Sequence, residues 1–416
     1  MRKPELDRNR RRKGSEAMKH ITDAVYTGKA GIFPEELFSD RSEREGGDVY
    51  SVPGEDRERR CLELISRLAR GEQLTEEEFS EILSVRTWKT AGLVFRTARR
   101  IREKYYGKRV FIRGLIEFTN YCRNDCYYCG IRRSNQEVSR YRLTPDEILS
   151  CCEEGRRLGF RTFVLQGGED LNFEGREGLR GDRALAKVVE EIKRRFPDCA
   201  VTLSVGERDR EVYEQWFQAG ADRYLLRHET ADEEHYRRLH PTELSGQRRK
   251  ECLRALKDIG FQTGAGMMVG SPGQTVRHLA EDLVFLRELQ PEMVGIGPFL
   301  PHHATPFAGE EAGSLELTLY LLGLVRLLLP RVLLPATTAL GTVFDGGREL
   351  GILCGANVVM PNLSPAAVRG NYLLYDNKLC TGCEASEGLS ALRKSMESIG
   401  YEIVAERGDC AGYVRP

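Results

Sequence analysis

A chain of 416 residues with 63 basic and 63 acidic side chains has no formal net charge, so nothing global draws it to nucleic acid or to an anionic membrane. Its 40% hydrophobic and 30% charged residues fit a soluble enzyme of one large domain or two to three ordinary ones. Twelve cysteines without an apolar export segment point to thiols kept reduced in the cytoplasm rather than to a disulfide framework; the most apolar run, 319–340, is broken by Arg326, Pro330 and Arg331 and is too interrupted to span a membrane.

In chain order, residues 1–55 read as a basic and polar extension, expected to be disordered. Residues 1–13 hold seven basic and two acidic side chains, and the only apolar island is Ile32, Phe33, Leu37 and Phe38. Met18 offers a second start. Residues 56–107 form an expected N-terminal helical cap. Leu62, Leu64, Ile65 and Leu68 fall at helical spacing, Thr75 followed by Glu78 makes a capping box, and a third helix covers 88–106.

Over 108–380 short β-rich runs alternate with amphipathic helices. The pattern predicts strands over 110–118, 162–166, 201–205, 223–228, 263–269, 294–300, 333–338 and 357–360. Predicted helices cover 144–158, 184–195, 209–219, 246–259, 275–289, 315–328 and 347–353. Eight strands with intervening helices predict an α/β fold, a (β/α)8 TIM-type barrel; an open doubly wound sheet is the competing architecture. Residues 381–416 supply a last helix, 388–399, and a tail.

Just past the first predicted strand stand Cys122, Cys126 and Cys129, spaced C-x3-C-x2-C, with Tyr128 before the last. A structural zinc site closes with four ligands, whereas an iron–sulfur cube held by three cysteines keeps one iron open to a substrate or cofactor. The other polar strand ends are Gln166–Asp170, Ser204–Glu207, Arg227–Thr230, 264–274 and Pro335–Thr338. In a barrel they share one rim with the cysteines. There is no G-x4-G-K-S/T phosphate loop and no H-E-x-x-H zinc motif. His235, His240, His302 and His303 read as capping or surface residues, and Cys151 and Cys152 as buried helical thiols.

The C-x3-C-x-aromatic-C pattern resembles that of the radical-SAM superfamily. The resemblance implies a 4Fe-4S cluster whose open iron takes the amino and carboxylate groups of S-adenosylmethionine (SAM), with reductive cleavage to a 5′-deoxyadenosyl radical. Within that superfamily, stretches from about 57 to 380 resemble the FeFe-hydrogenase maturases of the biotin-synthase-like group. The likeness implies cofactor contacts at Tyr128, Glu169, Ser204, Glu229 and Arg248, with Arg249 as the alternative to its neighbour. An arginine suits the methionine carboxylate because it can hold it bidentately. It also implies a substrate chamber lined by Thr202, Arg227, Thr337, Thr338 and Tyr375. The implied substrate is a small organometallic or amino-acid-derived species, specifically an iron–cysteine complex with carbonyl and cyanide ligands. The implied partners are other hydrogenase maturases and an electron donor, with no nucleic acid and no membrane. A methylornithine synthase-like mutase is the alternative within the group, and a zinc-bound RNA-contacting module the alternative outside enzymes. Cys380, Cys383 and Cys410 do not have the spacing of a complete accessory cluster. Positions that carry additional cysteines in biotin synthases hold Thr, Leu and Ser here, which disfavours sulfur insertion.

Overall fold

Three helices enter first in the computed structural model, which describes residues 54–379 and 385–416; residues 1–53, Cys380 and Cys383 lie outside the described residues. Glu55–Ala69 buries Leu64, Ile65 and Leu68 of the predicted stripe, with Cys61 buried beside them and Leu62 only half-buried. Glu76–Ser84 opens on the expected capping box. The Thr75 hydroxyl accepts Glu78 N–H, and the Glu78 carboxylate accepts Thr75 N–H at 3.0 Å. Trp88–Tyr106 packs on Leu315–Leu328, and Glu76–Ser84 on Val276–Leu289, so these helices brace the outer ring of the barrel.

The strands are β1 (Arg109–Ile112), β2 (Gly114–Thr119), β3 (Thr162–Gly167), β4 (Ala200–Ser204), β5 (Arg223–Leu225), β6 (Gln262–Ala265), β7 (Met268–Val269), β8 (Met293–Val294), β9 (Gly297–Pro298), β10 (Val358–Val359) and β11 (Glu402–Val404). Six form a parallel sheet in the order β2-β3-β4-β5-β6-β8. Parallel bridges Met293–Leu333, Pro335–Val358 and Leu115–Asn362 carry the ring back to β2. The fold is therefore the TIM-type barrel, and the closing bridges exclude an open sheet.

Four details depart from the sequence reading. The predicted strand over 110–118 is two strands, because its edge meets two different partners. β1 pairs with β11, while β2 pairs with β3; segment 357–363 runs along the opposite edge of both. The strand β11, three residues long, lies beyond the helix with which the chain was expected to close, and it is too short to register as a periodic pattern. The predicted strands over 263–269 and 294–300 each break in two where glycines cross: a Cβ on Gly266 would lie 2.1 Å from Gly295 O. The predicted strand over 333–338 is held by two bridges only, and Thr338 already begins the helix Thr338–Val343.

After β11 the chain crosses the N-terminal mouth of the barrel. Asp409 accepts hydrogen bonds from Arg223 at 2.6 Å and Gln262 at 2.7 Å, and Cys410 N–H donates to Gln262. Cys410 thus sits at the opposite end of the barrel from the other three cysteines of interest. Arg223 is fully buried, so Asp409→Ala strips an internal charge of its counterion. The expected loss is about 2–3 kcal/mol, below the cost at a fully buried pair because a third of Asp409 faces solvent, read as a shift in urea midpoint. Burial alone would raise the Asp409 carboxyl; Arg223 and Arg407 outweigh it and hold it below the usual range. The contribution is therefore complete above about pH 4 and fades as pH falls toward the depressed folded value.

Candidate active site

The cysteine loop leaves the C-terminal end of β2 and is folded by contacts that use no sulfur. Asn120 donates to Ser139 O and Asn371 O and accepts Tyr141 N–H. Asp125 takes Arg132 in a fork at 2.8 and 2.6 Å, which holds its carboxyl well below the usual range, and Arg140 donates to Ile131 O and Arg132 O. Gly130 packs where any Cβ would lie 2.2 Å from Leu373 O.

Cys122, Cys126 and Cys129 are free and line one cavity of about 340 Å³. Burial pushes all three thiols up, Cys129 to about 12. Three buried thiols lining one cavity need a compensating cation to ionise, which is the chemistry of a metal centre. Gly168 lets the next turn close onto this loop, since a Cβ there would lie 2.2 Å from Tyr121 O, and Glu169 N–H reaches Cys122 Sγ at 3.4 Å. The Gly167–Glu169 stretch is thus more than a plain strand-to-helix turn.

The residues implied as cofactor contacts divide. Tyr128 lines the cavity, its hydroxyl 3.2 Å from His240 Nε2. His240 Nδ1 is satisfied by Tyr236 O, and burial, with Arg249 nearby, pushes its pKa down to about 3, so it stays a neutral acceptor for the tyrosine. Ser204, at the end of β4, also lines the cavity. Glu169 lines it as well, but its carboxylate is taken by Arg123 at 2.8 Å and Glu207 N–H at 2.9 Å, so it braces the rim. Glu229 reaches the cavity from a left-handed backbone, φ 66°, and its Oε2 is buried without a hydrogen-bond partner. Burial raises its pKa against the pull of Arg227 and Arg249.

Arg248 does not reach the cavity, which corrects the residue assignment made from the likeness. Its side chain is 45% exposed and pairs with Asp209 at 2.5 Å. Arg249 lines the cavity instead, buried, paired with Glu207 and donating to Arg227 O at 2.9 Å. Both belong to the helix Gly246–Ile259, whose buried stripe is Gly246, Arg249, Cys252, Leu253 and Leu256. One residue of helix turns a side chain by about 100°, so only Arg249 shares the inward face. That stripe was the signal available in the sequence.

In the chamber below, Arg227, Thr337, Thr338 and Tyr375 line the same cavity. Thr202 does not: it is buried in β4, two residues before Ser204 on the same strand face, with its hydroxyl unpartnered. Two charged cavity residues, Glu117 and Lys378, escaped the sequence reading. Glu117, fully buried on β2, pairs with Lys378 and accepts Asn362 Nδ2–H at 2.8 Å. A carboxylate within the apolar run of β2 was the only hint, and nothing in the sequence joins it to a lysine so distant. Of the four histidines expected at caps or on the surface, only His303 is exposed; His235, His240 and His302 are buried, and His240 faces inward to Tyr128. His302 Nδ1 accepts Ala304 N–H, and one ligand atom each of His302, His303 and Asp376 lie within 4.8 Å of one another. His303 lies between Asp376 and Glu137, which raise its pKa. Cys151 and Cys152 are buried in the helix Pro145–Arg157.

Residues 116–286 match the Radical SAM superfamily. Over 338 residues the chain is 46% identical to the [FeFe] hydrogenase maturase subunit HydE of Thermotoga maritima, covering 81% of this chain and 94% of that protein. The chain belongs to the HydE family of radical-SAM proteins. A 3-methylornithine synthase of Methanosarcina barkeri is 29% identical over 313 residues, 75% of this chain and 86% of its own. The crystal structure of methylornithine synthase (PylB) superposes with a TM-score of 0.70 at 26% identity, over 82% of this chain and 97% of that one. Radical-SAM proteins carry a 4Fe-4S cluster and SAM, and the site fits both. Three free sulfurs converge on the cavity, and beside them stand an unpartnered carboxylate oxygen of Glu229 and the Arg249 guanidinium. No helix among the described residues is long and apolar enough to cross a membrane.

Proposed function

We propose that this HydE-family enzyme acts in assembly of the diiron H-cluster of FeFe-hydrogenase. Its substrate is a small iron–cysteine species with carbonyl and cyanide ligands, received from another maturase. The observation that supports this best is one cavity that joins the three cysteines at the rim to a charged chamber inside the barrel. When bound, the cluster supplies the electron that splits SAM into methionine and a 5′-deoxyadenosyl radical. The chain's own groups do the rest. Cys122, Cys126 and Cys129 hold three irons; Arg249 takes the methionine carboxylate; Glu229 and Ser204 fix the amino group and the ribose; Tyr128, anchored by His240, packs beside the adenine. Arg227, Thr337, Thr338 and Tyr375 hold the anionic face of the substrate, and the closed barrel keeps water and thiols from the radical.

Anaerobic, reduced protein is expected to convert SAM to 5′-deoxyadenosine. A host lacking the protein is expected to make inactive FeFe-hydrogenase while its other iron–sulfur enzymes work normally. Active hydrogenase in that host would overturn the assignment, and a methylornithine synthase-like activity would then be sought.

A further inference from the structure

We infer that His228 and Asp282 are positioning residues that hold Glu229 in the conformation that presents its carboxylate to the cavity. The inference rests on the reading of Glu229 as a SAM contact. A left-handed backbone is costly for a residue with a Cβ, and it persists only where the surroundings over-determine it. Here they do. Glu229 N–H donates to Gly266 O at 3.0 Å, and Gly266 N–H donates to His228 Nδ1 at 3.2 Å. The imidazole thus replaces the ladder acceptor that the chain loses as it turns out of β5. Because Nδ1 accepts, the neutral ring carries its proton on Nε2, which sits 3.3 Å from Asp282 Oδ1 as a close electrostatic contact rather than an aligned hydrogen bond. The same Asp282 oxygen accepts Ala231 N–H at 2.5 Å, two residues beyond Glu229. The contacts therefore bracket Glu229 on both sides.

Asp282 belongs to the helix Val276–Leu289, and both it and His228 are buried. Its second oxygen, Oδ2, has no hydrogen-bond partner. A staple between helix and barrel could be built more cheaply from an apolar side chain, so a lone interior carboxylate serving only the two flanks of Glu229 signals a demand for geometry. Gly266 adds to the rigidity, since it is pressed against Gly295 O with no room for a Cβ.

The test uses reconstituted holoenzyme, with SAM affinity read from the SAM-induced change in the electron paramagnetic resonance of the reduced cluster. Asp282→Ala is expected to weaken SAM binding about tenfold, with kcat at saturating SAM within about twofold of native. Asp282→Asn keeps an oxygen for Ala231 N–H and is expected to recover most of the loss, which a general packing defect would not allow. Should Asp282→Ala not fold, His228→Gln is measured in the same way with the same expectation. Glu229→Gln runs in parallel. If it weakens SAM binding while the folded Asp282 or His228 variant binds like native, the positioning role is overturned. If Glu229→Gln itself binds like native, the reading of Glu229 fails, and this inference with it.

Discussion

Cys126→Ala is expected to give a folded protein that holds no complete 4Fe-4S cluster and forms no 5′-deoxyadenosine above background. The loop that carries Cys126 is shaped by the Asp125–Arg132 fork, by Asn120, by Arg140 and by Asn135 Nδ2–H on Gly130 O at 2.6 Å, none of which needs the sulfur. Removing the thiol therefore removes a ligand and leaves its scaffold. The loss should be complete because two sulfurs leave a second iron without a protein ligand, and metal binding is coupled to the full ligand set. Iron and sulfide content, with circular dichroism as the fold control, check it. Cys151→Ala, in a buried helical position outside the lining of this cavity, is expected to keep both cluster and activity.

The second large effect separates two adjacent arginines. Arg249→Ala is expected to cost about 2–3 kcal/mol of SAM binding, roughly 30- to 150-fold, the size of a lost charge-assisted contact in a dry site. It also leaves the Glu207 carboxylate without its cation, so some loss of thermal stability should accompany it. Arg249→Lys is expected to recover little of the affinity, because a point charge cannot hold a carboxylate bidentately. Arg248→Ala, which removes only an exposed pair with Asp209, should change SAM affinity by less than about twofold. KM for SAM in the 5′-deoxyadenosine assay measures all three. Equal effects from Arg248 and Arg249 would contradict the placement of the site.

Features that were legible in the sequence are those that local spacing encodes. Three cysteines within eight residues announce a soft metal centre wherever the loop sits. Thr75 with Glu78 announces a helix start, and its capping box forms. The alternation of short strands and helices announces a parallel α/β fold, and the closing bridges separate the barrel from the open sheet. What spacing does not encode is competition between distant segments. The split of 110–118 into β1 and β2 depends on β11, nearly three hundred residues later, taking half of one edge. The Glu117–Lys378 pair has the same origin. The choice of Arg249 over Arg248 was within reach, because Cys252, Leu253 and Leu256 mark the buried face; the family likeness was read there without the helical phase. The turn at Glu229 gave no sign, because the groups its backbone meets, Gly266 at Glu229 N–H and Asp282 at Ala231 N–H, come from outside the segment.

The account stands on three protein sulfurs and one iron left for SAM. Electron–nuclear double resonance on the reduced holoenzyme, with SAM carrying 17O in its carboxylate and 15N in its amino group, tests this most directly. Hyperfine coupling from both labels to the cluster is the predicted result, and it should vanish in Cys126→Ala. A fully loaded cluster that shows neither coupling with SAM bound, its fourth iron held by a protein side chain, would contradict it.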